Sequence, residues 1–340
     1  MTGPGVLIAS THLSVAEAVR LAELAEALGY EEFWFTVTPW QLDGFMALAL
    51  VAHRTRTIRV GPGVAEPLSR HPVVIAMSTA TLAEIAGPRA QLGLGTGVFG
   101  QIQRSPADNR PVRALSEAIE IIRELLDGKA VDYKGEIFQT KGALGIVPSA
   151  RIPIVIATHS PQGLRLSGRC ADGVLLANYG THAGLAASVE HIRTGERSAG
   201  RVGACAVNLR LEGCVSDDEA AALAAMRPRV AARLLATYPN WGYLDLLGIA
   251  DTPVLRQAAE SHNSRAVAAC LSESDIHSTT LAGSPERVAE QLSGLLESSH
   301  VRRFTLRPFG HRGHPVDATM RAFVERSWPR VEGYLATTNE

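Results

Sequence analysis

IRVGPGVAEPLSRHPVVIAMSTATLAEIAGPRAQLGLGTG, residues 58–97, is the stretch that decides the fold. Residues 58–64 form a β-rich run broken at Gly61-Pro62-Gly63. Pro72 falls where the first turn of a helix tolerates a missing N–H. Residues 73–86, uncharged apart from Glu84, read as a helix stopped by Gly87-Pro88. Residues 90–94 are a second short apolar strand, closed by Gly95-Thr96-Gly97. Strand, helix and strand predict two parallel neighbours whose ends lie on one edge. Both ends are rich in glycine. Two tight turns would account for either corner; a pair on one edge points to bare backbone against which a large flat ligand can lie.

The same alternation extends in both directions. Upstream, residues 6–10 are a strand, Ser14 and Glu17 form a capping box for a helix over 15–28, 33–37 is a strand and 44–52 a helix. Downstream, a helix over 111–126 precedes an irregular stretch with a hairpin near Lys134-Gly135. Strands at 152–157, 173–176, 205–215 and 303–306 then alternate with helices. Eight strands, each followed by a helix, predict an α/β fold of the (β/α)8 TIM-barrel type in a single domain, 1–340. A helical insertion at about 217–281 lies between strand seven and its packing helix. The open doubly wound sheet is the competing architecture. It usually carries a phosphate loop after its first strand, whereas here that strand ends in Ser10-Thr11-His12.

Bulk properties narrow the function classes. Lys plus Arg number 33 and Asp plus Glu 34, a net charge of -1, so nothing draws the chain generally to nucleic acid or anionic membrane. Cys170, Cys205, Cys214 and Cys270 are scattered without C-x-x-C spacing. That argues against a disulfide framework or zinc site and predicts a reducing, cytoplasmic setting. No export signal and no membrane-length apolar run is visible.

In a barrel of this type the chemistry sits at the C-terminal ends of the strands. Those ends are poor in acids: Glu66 and a few histidines, His12 and His159 among them, are nearly all that titrates there. Neither H-E-x-x-H nor G-x-S-x-G occurs, and no metal site is expected. Such a mouth suits an enzyme whose cofactor supplies the chemistry. Thr158, His159 and Ser160 precede a helix starting near Pro161, which makes either an anion site at a helix N-terminus or an ordinary serine cap. Trp40, Trp241 and Tyr243 are candidate substrate walls.

GPGVAEPLSRHP followed by a helix and RAQLGLGTG resembles the luciferase-like superfamily of TIM-barrel oxidoreductases. The likeness is strongest to its coenzyme F420 (deazaflavin)-dependent branch, typified by methylenetetrahydromethanopterin reductase. GYEEFWF, ATHSPQGLRLSGRCADGV, LAGSPERVAEQL and RFTLRPFG extend it, in the right order, over most of the chain. The resemblance implies F420, or alternatively FMN, at the barrel mouth. Ala157, Thr158, His159 and Ser160 would line its phosphate or ribityl side, and Gly95, Thr96 and Gly97 its other flank. Gly63–Val64 would be a non-prolyl cis peptide backing the ring. The chain departs from the family where Val37 and Thr38 replace a common polar pair, where Ser10 replaces an acid, and where Glu66 stands in place of the usual Asn. The resulting expectation is hydride transfer between F420 and an unsaturated small molecule (C=C or C=N), with Glu66, His12 or Thr38 as catalytic candidates. The rivals are an FMN-dependent monooxygenase and a non-catalytic barrel serving as a binding subunit. Family likeness further implies a homodimer.

Overall fold

The computed structural model of the chain describes residues 3–11, 13–37, 40–97, 110–297, 299, 301 and 303–337. β1 (Gly5–Ile8) leads to α1 (Val15–Ala27), whose cap Ser14 accepts the Glu17 N–H at 3.1 Å. β2 (Glu32–Thr36), α2 (Gly44–Arg54), β3 (Arg59–Val64), α3 (Pro72–Ala86) and β4 (Leu92–Leu94) follow. Pro72 opens α3 as predicted, and Gly87, at φ 61°, closes it. After α4 (Pro111–Leu126) comes an antiparallel hairpin, β5 (Val131–Lys134) with β6 (Gln139–Gly142). β7 (Ile154–Thr158), α5 (Pro161–Cys170), β8 (Gly173–Ala177) and α6 (His182–Ser198) continue the alternation.

β9 (Ala206–Val215) then runs into α7 (Glu219–Thr237), α8 (Leu244–Leu247), α9 (Pro253–Glu260), α10 (Ser264–Ala269) and α11 (Glu273–His277). These five helices are the predicted insertion. α9 and α10 are separate helices because His262 takes a positive φ of 50° and Asn263 recaps by accepting the Arg265 and Ala266 N–H groups. β10 (Thr280–Gly283) is a strand assigned from sequence to the insertion. Its four residues, TLAG, carry too little pattern to be read alone. The chain ends in α12 (Pro285–Glu297), β11 (Arg303–Pro308), α13 (Val316–Ala322), a π-helical turn (Phe323–Ser327) and α14 (Trp328–Thr337). The eight strands β1, β2, β3, β4, β7, β8, β9 and β11, each with its helical connection, make the fold a (β/α)8 TIM barrel.

The repeats fall into two compact units: residues up to 176 with 190–208, and 177–189 with 209 onward. In the first, parallel pairing runs from β1 to β2 to β3, and from β4 to β7 to β8. β3 joins β4 through the bridges Val60–Ala90 and Ala65–Leu94. Leu7, Trp34 and Leu175, with Val155 and Ala157, pack as one buried cluster. Beside them Glu32 is buried and accepts from Trp34 Nε1 (2.9 Å), Asn208 Nδ2 (3.1 Å) and Arg59 Nη2 (2.8 Å), so its desolvated charge is fully partnered. In the second unit, β10 pairs parallel with β9 and β11 lies beside β9.

Carboxylates anchor the backbone where three strands begin. Glu26 Oε1 accepts the N–H groups of Arg56, Thr57 and Ile58 just before β3, at 2.6–2.9 Å. Asp172 accepts the Ile154 N–H at the start of β7 (2.8 Å), and Glu196 the Cys205 N–H just before β9 (2.7 Å). Burial alone would raise the pKa of each; the backbone N–H groups and, at Asp172 and Glu196, neighbouring arginines outweigh it and hold all three below their ordinary values.

Candidate functional site

Strand pairing decides which residues meet at the ends of β3, β4 and β7. The Ala65–Leu94 bridge and the Leu94–Ile156 pair set the three ends side by side, so Val64–Glu66, Gly95–Gly97 and Ala157–Ser160 form one neighbourhood. The glycines there do two jobs. A Cβ on Gly61 would stand 2.1 Å from Gln91 O, and one on Gly93 2.4 Å from Pro62 O. These two glycines therefore let neighbouring strands approach. Gly95 is similar, with Val64 Cγ1 at 2.9 Å and Ala157 O at 3.0 Å from its virtual Cβ. Gly97 differs: it is exposed, has φ 55°, and its virtual Cβ lies 2.7 Å from Glu66 Oε2. Bare backbone at Gly97 is what lets the chain pass over that carboxylate.

Glu66 is 4% exposed, so it is not a surface loop carboxylate. Its Oε2 accepts from Ser69 Oγ at 3.4 Å, and its carbonyl from the Arg70 N–H at 3.0 Å, which fixes the turn after β3. The expected cis peptide at Gly63–Val64 is not formed; among the described residues the cis bond is Tyr238–Pro239. A register shift takes its place: Phe35 faces Pro62 and Thr36 faces Val64, leaving Gly63 as the extra residue of a bulge. Its virtual Cβ lies 3.0 Å from Leu7 Cδ1.

Past β7, Ser160 Oγ accepts the Gly163 N–H at 3.1 Å, and Thr158 Oγ1 accepts the Ser160 N–H at 3.3 Å. Ser160 is thus a true N-cap of α5. The cap still leaves two half-buried hydroxyls, 3.4 Å apart, at the positive end of a helix, with His159 exposed between them. A Cβ on Gly163 would meet Thr158 Oγ1 at 2.3 Å, so glycine is what admits that hydroxyl to the first turn. Thr96 is half-buried next to Gly97.

The remaining candidates separate. His12 and Thr38 lie outside the described residues. Trp40 is 78% exposed at φ 64°. Trp241 is buried, donates Nε1–H to Leu234 O at 2.9 Å and meets Tyr238 edge-on, so it packs within the insertion. Tyr243 is half-buried with its hydroxyl 2.7 Å from Thr237 Oγ1; burial raises its pKa. Just past β1, Ser10 is fully buried; its backbone N–H donates to Thr36 Oγ1 at 2.9 Å and its hydroxyl lies 3.3 Å from the same oxygen. No cluster of three or more His, Cys, Asp or Glu able to hold a metal occurs among the described residues.

One constellation escaped sequence reading. In the second unit, Arg210 and Glu212 point to the same face of β9, and Arg233 of α7 and Arg307 of β11 converge on them. Glu212 Oε2 accepts from Arg233 Nη2 and Oε1 from Arg307 Nη1, both at 2.8 Å, while Arg210 Nη1 is 3.8 Å away. Arg210 also donates to Asn178 Oδ1 at 3.0 Å. Burial would raise the Glu212 pKa, but the guanidinium groups of Arg233, Arg307 and Arg210 bring it down to about 2. Burial pushes Arg210 down to about 9. A signal was available: in NLRLEGC, Asn208, Arg210 and Glu212 alternate with Leu209, Leu211 and Gly213, which puts three polar groups on one face of a strand.

The fold is that of a TIM-barrel protein, and comparison with known proteins makes the class specific. The chain belongs to the luciferase-like monooxygenase family, which matches residues 2–303. Among its relatives, a 5,10-methylenetetrahydromethanopterin reductase of Archaeoglobus fulgidus is 40% identical over 156 residues, 45% of this chain and 47% of that protein. The same enzyme of Methanopyrus kandleri is 27% identical over 312 residues, covering 86% and 88%. An F420-dependent hydroxymycolic acid dehydrogenase of Mycobacterium tuberculosis is 34% identical over 185 residues, covering 50% and 51%. The chain thus spans about half the length of several curated relatives it matches. In three dimensions it is similar to the coenzyme F420-dependent tetrahydromethanopterin reductase from Methanopyrus kandleri, with a TM-score of 0.83, 24% identity and coverage of 97% and 99%.

Proposed function

We propose that the chain is an F420-dependent oxidoreductase acting on an unsaturated small molecule. The observation that carries this is the adjacency of Gly95–Gly97, where the chain leaves β4, to Ala157–Ser160, a hydroxyl-lined helix N-terminus. A ring system needs the first and its phosphate the second. The F420-dependent relatives support deazaflavin over flavin.

Residues at three strand ends divide the work. Thr158, His159, Ser160 and the first turn of α5 would hold the phosphate side, and Gly95, Thr96 and Gly97 would border the ring. Gly63 and Val64 back it through the bulge of β3. F420, when bound, supplies or accepts the hydride at its ring. Glu66 supplies or takes up the accompanying proton; its burial behind Gly97 keeps bulk water from the carboxyl.

The chain works as a homodimer in the cytoplasm. Met46 and Leu50 on α2 and Val74, Met77 and Ile85 on α3 are exposed on helices that pack together, which supports an apolar face covered by a second copy. The four cysteines are free, in keeping with a reducing compartment. No helix among the described residues is long and apolar enough to cross a membrane.

Difference spectroscopy tests the cofactor. Adding F420 should perturb its absorption at micromolar concentration, with FMN giving no comparable change. Binding of FMN instead would move the chain to the monooxygenase reading. Binding of neither at roughly tens of micromolar would make it a non-catalytic barrel.

A further inference from the structure

We propose that the cluster formed by Arg210, Arg233, Arg307 and Glu212 binds an oxyanion, a phosphate monoester or carboxylate, of the substrate. Identifying that anion as part of the substrate rests on the oxidoreductase reading; the anion site itself rests on the charges and geometry below.

Three guanidinium groups meet one carboxylate, and the side chains are only 10% (Arg210), 15% (Arg233), 25% (Arg307) and 7% (Glu212) exposed. Both oxygens of Glu212 are engaged, one by Arg233 and one by Arg307. The cluster therefore keeps two positive charges more than it balances, in a place where water reaches poorly. Arg229 adds to the excess. It and Arg307 both lie over the Phe309 ring, at 4.3 and 5.3 Å from its centroid. A purely structural tether needs one arginine per carboxylate, and removing water from the extra cations is unfavourable.

The donors also outnumber the acceptors. Arg233 Nη1 and Arg307 Nε are buried with no hydrogen-bond partner. Planar guanidinium forks are shaped to grip a phosphate or carboxylate through two parallel N–H bonds. Glu212 partly neutralises Arg233 and Arg307 and occupies one N–H of each, and Asn178, itself at φ 69°, orients Arg210. The downward pressure on the Arg210 pKa has the same origin: burial first, with Arg307 and Arg233 adding repulsion that an incoming anion would relieve. Location fits as well. Glu212 and Arg307 lie three residues and one residue before the C-terminal ends of β9 and β11, the end at which barrels of this kind bind substrate.

The full-length chain free of F420 is titrated by calorimetry with inorganic phosphate and, separately, with succinate, against chloride at equal ionic strength. Phosphate or succinate should bind at one site, and whichever binds more tightly identifies the class of oxyanion. Arg307→Gln and Arg233→Gln should each weaken that binding at least tenfold with unchanged circular dichroism. Glu212→Gln, which removes the competing carboxylate, should strengthen it, an effect that a structural tether does not predict. Should Glu212→Gln fail to fold, the two arginine variants decide alone. Binding no tighter than chloride, or affinity unchanged in both arginine variants, overturns the proposal. A chain that binds phosphate but not F420 keeps the anion site and loses the hydride-transfer reading.

Discussion

Replacing Gly97 by alanine tests whether the glycine edge and the buried acid act together. The new methyl would stand 2.7 Å from Glu66 Cδ and Oε2 and 3.2 Å from its Cβ. Carbon contacts are comfortable at about 3.5 Å, so the carboxyl must retreat by roughly 0.8 Å. The backbone adds its own cost, because φ 55° in a residue with a Cβ is unfavourable by about 1–2 kcal/mol. That strain should lower Tm by a few degrees and leave the fold intact. The displaced carboxyl should lower kcat about 10–100-fold, since misplacing a reacting group by ~1 Å costs on that order. Stopped-flow measurement of F420 oxidation would read kcat, and a fluorescence titration would read cofactor affinity. In a Glu66→Gln background the Gly97→Ala substitution should change kcat little further, because the group it displaces no longer transfers a proton. Wild-type turnover in Gly97→Ala, or an equal fall in both backgrounds, would refute the coupling of Glu66 to the reaction.

Further outcomes follow from the same coordinates. Gly93→Ala should prevent soluble expression or cost several kcal/mol, because its Cβ meets Pro62 O at 2.4 Å, whereas Gly200→Ala, with open space around it at φ 65°, should cost only about 1 kcal/mol in thermal unfolding. Glu117→Ala should destabilise by ~3 kcal/mol in urea titrations, since the buried carboxylate accepts the N–H groups of Glu136, Ile137 and Phe138 at 2.9–3.0 Å and all three would lose it. Glu212, held at about 2 in the folded chain, contributes ~3 kcal/mol that is fully present above its unfolded value and disappears as pH falls through about 2. Glu212→Gln should therefore flatten that part of the acid-unfolding curve. Thr158→Val with Ser160→Ala should weaken F420 binding about tenfold while leaving the light-scattering mass unchanged; equal affinity would remove the helix N-terminus from the cofactor site.

The alternation of strands and helices was legible because each repeat carries its own punctuation, as Ser14, Pro72 and Gly87 illustrate at α1 and α3. β10 was not, since four residues of small and apolar type fit a strand or the end of a loop equally well. The glycine corners were visible as letters, but spacing could not say what each glycine faces. Pairing puts backbone from the adjoining strand against Gly61 and Gly93 and a carboxylate against Gly97. Trp241 looked available for a ligand because nothing in the local sequence shows that its indole N–H reaches back to Leu234. The arginine cluster joins β9, α7 and β11, with Glu212 and Arg307 separated by 95 positions, and only folding brings them together.

The carboxylates that grip the chain ahead of β3, β7 and β9 sit at the opposite end of their strands from the proposed chemistry. Such an arrangement lets the two ends change independently. Residues around the mouth can be exchanged to suit a new substrate while Glu26, Asp172 and Glu196 keep the strands in register from below. Acidification reaches those three only below the ordinary carboxylate range, so their grip on the strands persists in mildly acidic solution.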